Sequence, residues 1–105
     1  MTARILVFAS VAPHLAHEFE QAYVQVTAQM KGTPGLLGDE LLRDPDGSGR
    51  YLLLSEWESE AQFRAWEDAP GHHELTSPMT PYWSGSFERR IYNLAARLAP
   101  EVAAG

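Results

Sequence analysis

The sequence predicts an α+β protomer of the ferredoxin-like class, with the element order β-α-β-β-α-β. Three observations lead there. Strand and helix periods alternate along the chain in that order. A turn rich in Asp and Gly joins the second and third strands into a hairpin. Two of the strands are apolar on both faces. A length of 105 residues fits one domain, spanning 1–105 with a core over 3–94 and a small-residue tail over 95–105.

Each element has its own signal. In ARILVFA, residues 3–9, Ile5, Val7 and Ala9 point one way and Leu6 and Phe8 the other, as in a strand covered on both sides. Over 13–30, Leu15, Phe19, Ala22, Val26 and Met30 recur at helical spacing, Pro13 suits the first turn, and the glycines and proline of 32–35 stop the helix. LLGDELLR (36–43) and RYLLLSEW (50–57) flank DPDGSG, a turn in which Asp and Pro start the bend and Gly permits positive φ. Ser59, with Gln62 three residues on, opens a second helix as a capping box. Phe63 and Trp66 share one face of it, and Pro70-Gly71 ends it. A short helix is expected over His72–Met79, then a last strand, SFERRIYNL, at 86–94, and a tail that forms at most a fraying helical turn.

Composition narrows the partners. The net charge is −6 and Arg89-Arg90 is the only basic doublet, so no nucleic acid is expected. The chain has no cysteine, which removes disulfide, thiolate and zinc–thiolate chemistry. No apolar run approaches the roughly 20 residues of a membrane span. The N-terminus lacks the apolar core and cleavage site of a signal peptide, so no membrane and a cytoplasmic location are the expectations. His14 and His17 stand three apart on the first helix, a spacing that suits a metal. No third ligand stands at a known spacing, and the pair reads as a solvated face; no metal site is expected.

A ferredoxin-like sheet covers one face with helices and leaves the other open. Leu6, Phe8, Leu52 and Leu54 would stand on that open face, and an apolar face needs a cover. A second copy of the same sheet supplies one, so a homodimer is expected, with the tail as the alternative cover.

SEWESEAQFRAW, followed by HHELTSPMTPYW and the strand FERRIYNL, resembles the antibiotic biosynthesis monooxygenase domain family over residues 3–94. The most specific part is Trp57, Ser59, Phe63 and Trp66 across the strand-to-helix junction. The resemblance implies a dimeric α/β barrel of ferredoxin-like protomers. It also implies a helix-side ligand cavity and one of several chemistries: cofactor-free oxidation of anthrone-like polyketides, oxidation of quinols, haem degradation, or cyclisation of polyketides in related barrels. The anthrone-oxidising branch has WESEQAY where this chain has WESEAQF, so its site tryptophan matches Trp57. Its asparagine falls on Leu53, its tyrosine on Phe63 and its arginine near Ser77. In the haem-degrading branch the helix tryptophan matches Trp66, the first-strand asparagine has no counterpart, and ungapped counting sets the haem-ligating histidine on Thr76, with His72 and His73 about a turn earlier, so that haem binding would need a local shift. Haem is therefore not expected, and no other cofactor is, molecular oxygen being the co-substrate.

The candidate site follows from parity and chemistry. Tyr51, Leu53, Ser55 and Trp57 share one strand face, which the resemblance turns toward the helices. Phe19, Leu53, Phe63, Trp66 and Trp83 are expected to bind a flat aromatic substrate; the alternative is that they only fill the core. Trp57, His72 and His73 are the expected catalytic residues, with one imidazole as the base. Of Arg89 and Arg90, one should point inward and pair with Glu56 or Asp39, the alternative being that it holds an acidic ligand. The function implied is a cofactor-independent monooxygenase acting on an aromatic polyketide or quinol-like compound in secondary metabolism. A polyketide cyclase, or a ligand-binding dimer without activity, are the alternatives.

Overall fold

A strand apolar on both parities needs cover on both faces, and residues 3–10 lie inside the sheet with a strand paired on either side. The computed structural model describes residues 2–82 and 87–98. It contains β1 (Ala3–Ser10), α1 (Ala16–Gln29), β2 (Leu36–Arg43), β3 (Arg50–Trp57), α2 (Glu60–Asp68), α3 (His72–Thr76) and β4 (Glu88–Asn93). The sheet order is β2-β3-β1-β4, and each neighbouring pair is antiparallel. This is the ferredoxin-like α+β arrangement.

Differences from the sequence reading are local. Pro13–Leu15 forms a separate 3-10 turn rather than the start of α1, as the Pro ring and the Leu15 N–H to Ala12 carbonyl bond (2.8 Å) close a tighter turn there. The segment 72–79 is a five-residue helix that passes into a 3-10 stretch, Ser77–Tyr82, where Pro78 and Pro81 lack the N–H of an α-helical ladder. Residues 94–98 have no regular structure; the Leu94 N–H bonds the Thr2 carbonyl at 2.8 Å. Ser59 caps α2, its hydroxyl oxygen accepting from the Gln62 N–H at 3.2 Å.

The register sorts the side chains. Ala3, Ile5, Val7 and Ala9 of β1 face Trp57, Ser55, Leu53 and Tyr51 of β3 on the helix side. Two apolar clusters form there. One joins Phe19, Ala22, Val26 and Met30 of α1 to Val11, Tyr51 and Met79. The other joins Ala3, Ile5, Trp57 and Phe63. On the opposite face Leu6, Leu52 and Leu54 are partly buried, while Phe8, Leu42 and Tyr92 are 40%, 42% and 51% exposed.

The β2–β3 loop is held by its own carboxylates: the Asp46 N–H donates to Asp44 (3.0 Å) and the Ser48 N–H to Asp46 (2.8 Å). Gly47 and Gly49 both have positive φ, +75° and +86°. At Gly47 an added Cβ would meet open space; at Gly49 it would lie 1.9 Å from the Val11 carbonyl oxygen. The Val11 N–H also bonds the Gly49 carbonyl at 2.8 Å, tying the loop to the end of β1. Gly47→Ala should therefore cost only the left-handed penalty, about 1–2 kcal/mol. Gly49→Ala should cost at least about 2 kcal/mol more, because backbone must move. Urea midpoints of the two variants test this; equal losses would contradict it.

Candidate functional site

The helix side of the sheet is not completely filled. A cavity of about 610 Å³ lies between the sheet and the helices, within the range of small-molecule sites. Its floor is Ile5 and Val7 of β1, Leu53 and Ser55 of β3, and Asp39 of β2. Tyr23, Val26, Thr27 and Met30 of α1 form one wall; Phe63, Trp66, Glu67 and Asp68 of α2 form another. His72, Thr76, Met79 and Thr80 close one side, and Phe87 and Arg89 the last.

Of the aromatic and apolar residues singled out from sequence, Leu53, Phe63 and Trp66 line this cavity. Phe19 and Trp57 do not: each is 0% exposed and belongs to the core clusters behind the wall. Phe19 stacks obliquely on Tyr51 at 4.9 Å. Trp57 meets Phe63 edge-on at 5.6 Å and Trp66 at 5.5 Å. The Trp57 indole N–H donates to the Ser55 hydroxyl at 2.9 Å. Trp57 thus fixes both Trp66 and Ser55 from behind. His72 lines the cavity, its ring edge-on to Trp66 at 4.3 Å between centroids. Trp83 and the side chain of His73 lie outside the described residues.

The inward arginine is Arg89. It pairs with Glu67 of α2, and its guanidinium lies 5.7 Å from the Phe63 ring centroid. Arg90, on the open face, pairs with Glu88 at 2.6 Å, and Glu56 pairs instead with Arg4 at 3.5 Å. The pairing expected with Glu56 or Asp39 does not form, because the register puts Arg89 over α2 and leaves Arg90 beside Leu6.

One constellation escaped the sequence reading. The Tyr23 hydroxyl donates to Asp39 Oδ1 at 2.5 Å, joining α1 to β2 inside the cavity. Burial pushes the Asp39 carboxyl up to about 6; the neighbouring Glu40 charge adds to the rise, and the Tyr23 hydrogen bond opposes it. Burial and the Asp39 charge push the Tyr23 phenol far above its usual range, so it stays protonated. The signal was Asp39 sharing strand parity with Leu41 and Tyr23 falling on the apolar stripe of α1: two polar groups at inward positions.

Comparison with known proteins places this architecture. The family model for antibiotic biosynthesis monooxygenase matches residues 2–76. Protein SchA of Streptomyces halstedii is 28% identical over 100 residues, which is 95% of this chain but 26% of SchA. A mycobilin-producing heme oxygenase of Mycobacterium tuberculosis is 36% identical over 53 residues, 50% of each chain. This chain thus spans about a quarter and about half the length of these relatives. The structure of SnoaB, a cofactor-independent oxygenase from Streptomyces nogalater, superposes with a TM-score of 0.73 at 23% identity, over 95% of this chain and 97% of SnoaB. At that identity the likeness carries the fold alone.

Thr76, which ungapped counting from Trp66 sets against the haem-ligating histidine of the haem-degrading branch, donates its hydroxyl to the His72 carbonyl at 3.2 Å, and an aliphatic hydroxyl would not replace an imidazole as a haem ligand; the imidazole that does line the cavity is His72, one turn earlier. With the family model covering residues 2–76 and the sheet order, helix placement and helix-side cavity as described, the chain belongs to the antibiotic biosynthesis monooxygenase family.

Proposed function

We propose that this protein is a cofactor-independent monooxygenase that oxidises an aromatic polyketide or quinol-like compound in secondary metabolism, in the cytoplasm. The observation that carries this reading is the cavity: apolar on its floor and aromatic on one wall, with ionisable side chains set into it. Phe63 and Trp66 provide ring faces for a planar substrate. A substrate that loses a proton becomes electron-rich enough to reduce oxygen itself. Apolar walls keep water from the radical pair that follows. His72 is the imidazole placed to exchange a proton with the substrate or its peroxide. The family match and the description of SnoaB as a cofactor-independent oxygenase support the reading.

The protein's assembly is proposed on different grounds. Leu6, Phe8, Leu42, Leu52, Leu54 and Tyr92 share the face without helices, and the proposed cover is a second copy, giving a homodimer joined sheet to sheet.

Purified protein supplied with anthrone and treated with chelator should consume oxygen in step with product. A cyclase would act equally well without oxygen, and a binding module would only bind. His72→Gln should lower turnover by about 100-fold while anthrone binding is kept; full turnover in that variant would remove His72 from the mechanism.

The two tryptophans should separate. Trp66→Ala should weaken binding, since Trp66 lines the cavity. Trp57→Ala should cost about 3–5 kcal/mol of stability, as for a buried aromatic core residue. Thermal melts and ligand titrations of both variants check this, and a Trp57→Ala protein of wild-type stability would contradict it.

Sedimentation at micromolar concentration should give twice the 11.7 kDa chain mass. Leu54→Asp should yield monomer or unfolded chain, because the dimer would bury an unpaired charge. A wild-type monomer would refute the sheet-to-sheet assembly.

A further inference from the structure

A reaction that begins by removing a proton needs an acceptor that is largely desolvated, held in place and within reach of the substrate. Asp39 meets these conditions. It stands on the helix side of β2, in register with Ser55 of β3, and shares the cavity with Phe63 and Trp66. A β-bulge between Leu36 and Gly38 puts it there: the extra residue lets Leu36, Asp39 and Leu41 all face the helices. Among the described residues the only hydrogen bond to its carboxylate comes from Tyr23, on Oδ1, and no arginine or lysine pairs with it. Oδ2 makes no hydrogen bond among the described residues, and Asp39 and Tyr23 also border a second, more polar depression with Glu20, Glu40, Arg43 and Tyr51.

The surroundings favour proton uptake. From α1, Tyr23 and Thr27 face the carboxylate's end of the cavity, and Glu20 lies on the outer side, tied to Arg43 at 3.0 Å and to the Tyr51 hydroxyl at 2.6 Å. From β2 the adjacent Glu40 adds negative charge. Ser55 of β3, Glu67 and Asp68 of α2, His72 of α3 and Arg89 of β4 line the same cavity, with Arg89 committed to Glu67. No cation is thus spent on Asp39. A carboxylate desolvated in this way is a stronger base than an exposed one and remains ionised at neutral pH.

We propose that Asp39 is the group that takes the first proton from the substrate, and that Tyr23 is the positioning residue that orients its carboxylate. The assignment deepens the oxygenase reading and rests on it for the later steps. In an anthrone-type ring the methylene C–H bond breaks, its electron pair moves into the ring carbonyl as an enolate, and an O–H bond forms on Asp39. One electron passes from the enolate to molecular oxygen, and the resulting radical and superoxide join through a new C–O bond. The peroxide anion takes a proton back from Asp39. Loss of the second carbon-bound proton, for which His72 is available, breaks the O–O bond and releases water. In sum a methylene and one oxygen molecule give a carbonyl and one water, with oxygen as the only oxidant.

The first step can be measured without oxygen. Anthrone in anaerobic D2O exchanges its methylene protons, and proton NMR follows the rate. Wild-type protein should accelerate the exchange, with a rate that rises with pH around a midpoint near 6. Asp39→Asn should lower it by about 100-fold. Tyr23→Phe should keep the exchange but move the midpoint upward, because the lost hydrogen bond had lowered the Asp39 pKa. That shift is one a merely structural tyrosine would not produce. Thermal melts check that Asp39→Asn is folded. The folded carboxyl titrates above its unfolded value of about 3.9, so wild-type stability falls as pH rises from about 4 through about 6. Asp39→Asn should therefore melt higher than wild type at pH 8 and not at pH 4. Exchange by Asp39→Asn at the wild-type rate, or a wild type that does not accelerate exchange, overturns the proposal. Asp39-dependent exchange with no oxygen uptake in air upholds the base and sinks the oxygenase reading instead.

Discussion

The pairing of β1 with β3 is the constraint on which the rest depends. Ala3 lies opposite Trp57, Ile5 opposite Ser55, Val7 opposite Leu53 and Ala9 opposite Tyr51. Because side chains alternate, a slip of one residue would turn every one of these away from the helices. It would bury Arg4 and Glu56 and expose Trp57. The native register does the reverse, leaving Arg4 and Glu56 to pair at the margin of the open face and sealing Trp57 completely. Burial of an indole and two aromatic neighbours is among the largest stabilising contributions a domain of this size has.

That same register makes room for the cavity. Each helix has its own cluster on the sheet, one built around Phe19 and Val26 of α1 and the other around Phe63 of α2 and Trp57. Where the two meet, the floor carries Val7, Leu53 and Ser55, too small to fill the gap. Trp57 then acts at a distance from the cavity: it packs against Trp66 and donates its indole proton to Ser55. Ser55 in turn is the register partner of Asp39. Packing behind the wall and polarity on it are thus parts of one arrangement.

Much of this was legible in the sequence, for definite reasons. The strand of residues 3–9 declared its need for cover on both faces by being apolar on both parities, and the Asp and Gly residues of 44–49 declared the hairpin. Ser59 and Gln62 marked the start of α2 within a residue. Parity put Leu53, Ser55 and Trp57 on one face of the strand, and the family resemblance turned that face toward the helices. It could not distinguish a residue on the cavity wall, such as Trp66, from one sealed behind it, such as Trp57, because both are large, apolar and inward. The Tyr23–Asp39 pair was hidden for another reason. Its partners are 16 residues apart on different elements, and the bulge at Leu36–Gly38 changes the parity of β2 in a way that no alternation pattern announces. The partner of Arg89 was likewise set by how α2 crosses the sheet rather than by any local spacing.

The central claim is that a cavity with aromatic and aliphatic walls holds a desolvated carboxylate with a tyrosine as its partner. The most direct measurement is a carbon NMR titration of the Asp39 side-chain carboxyl in the folded protein. The account predicts a midpoint near 6, lost in Asp39→Asn and raised in Tyr23→Phe. A midpoint at the ordinary aspartate value of about 3.9, unmoved by Tyr23→Phe, would contradict it.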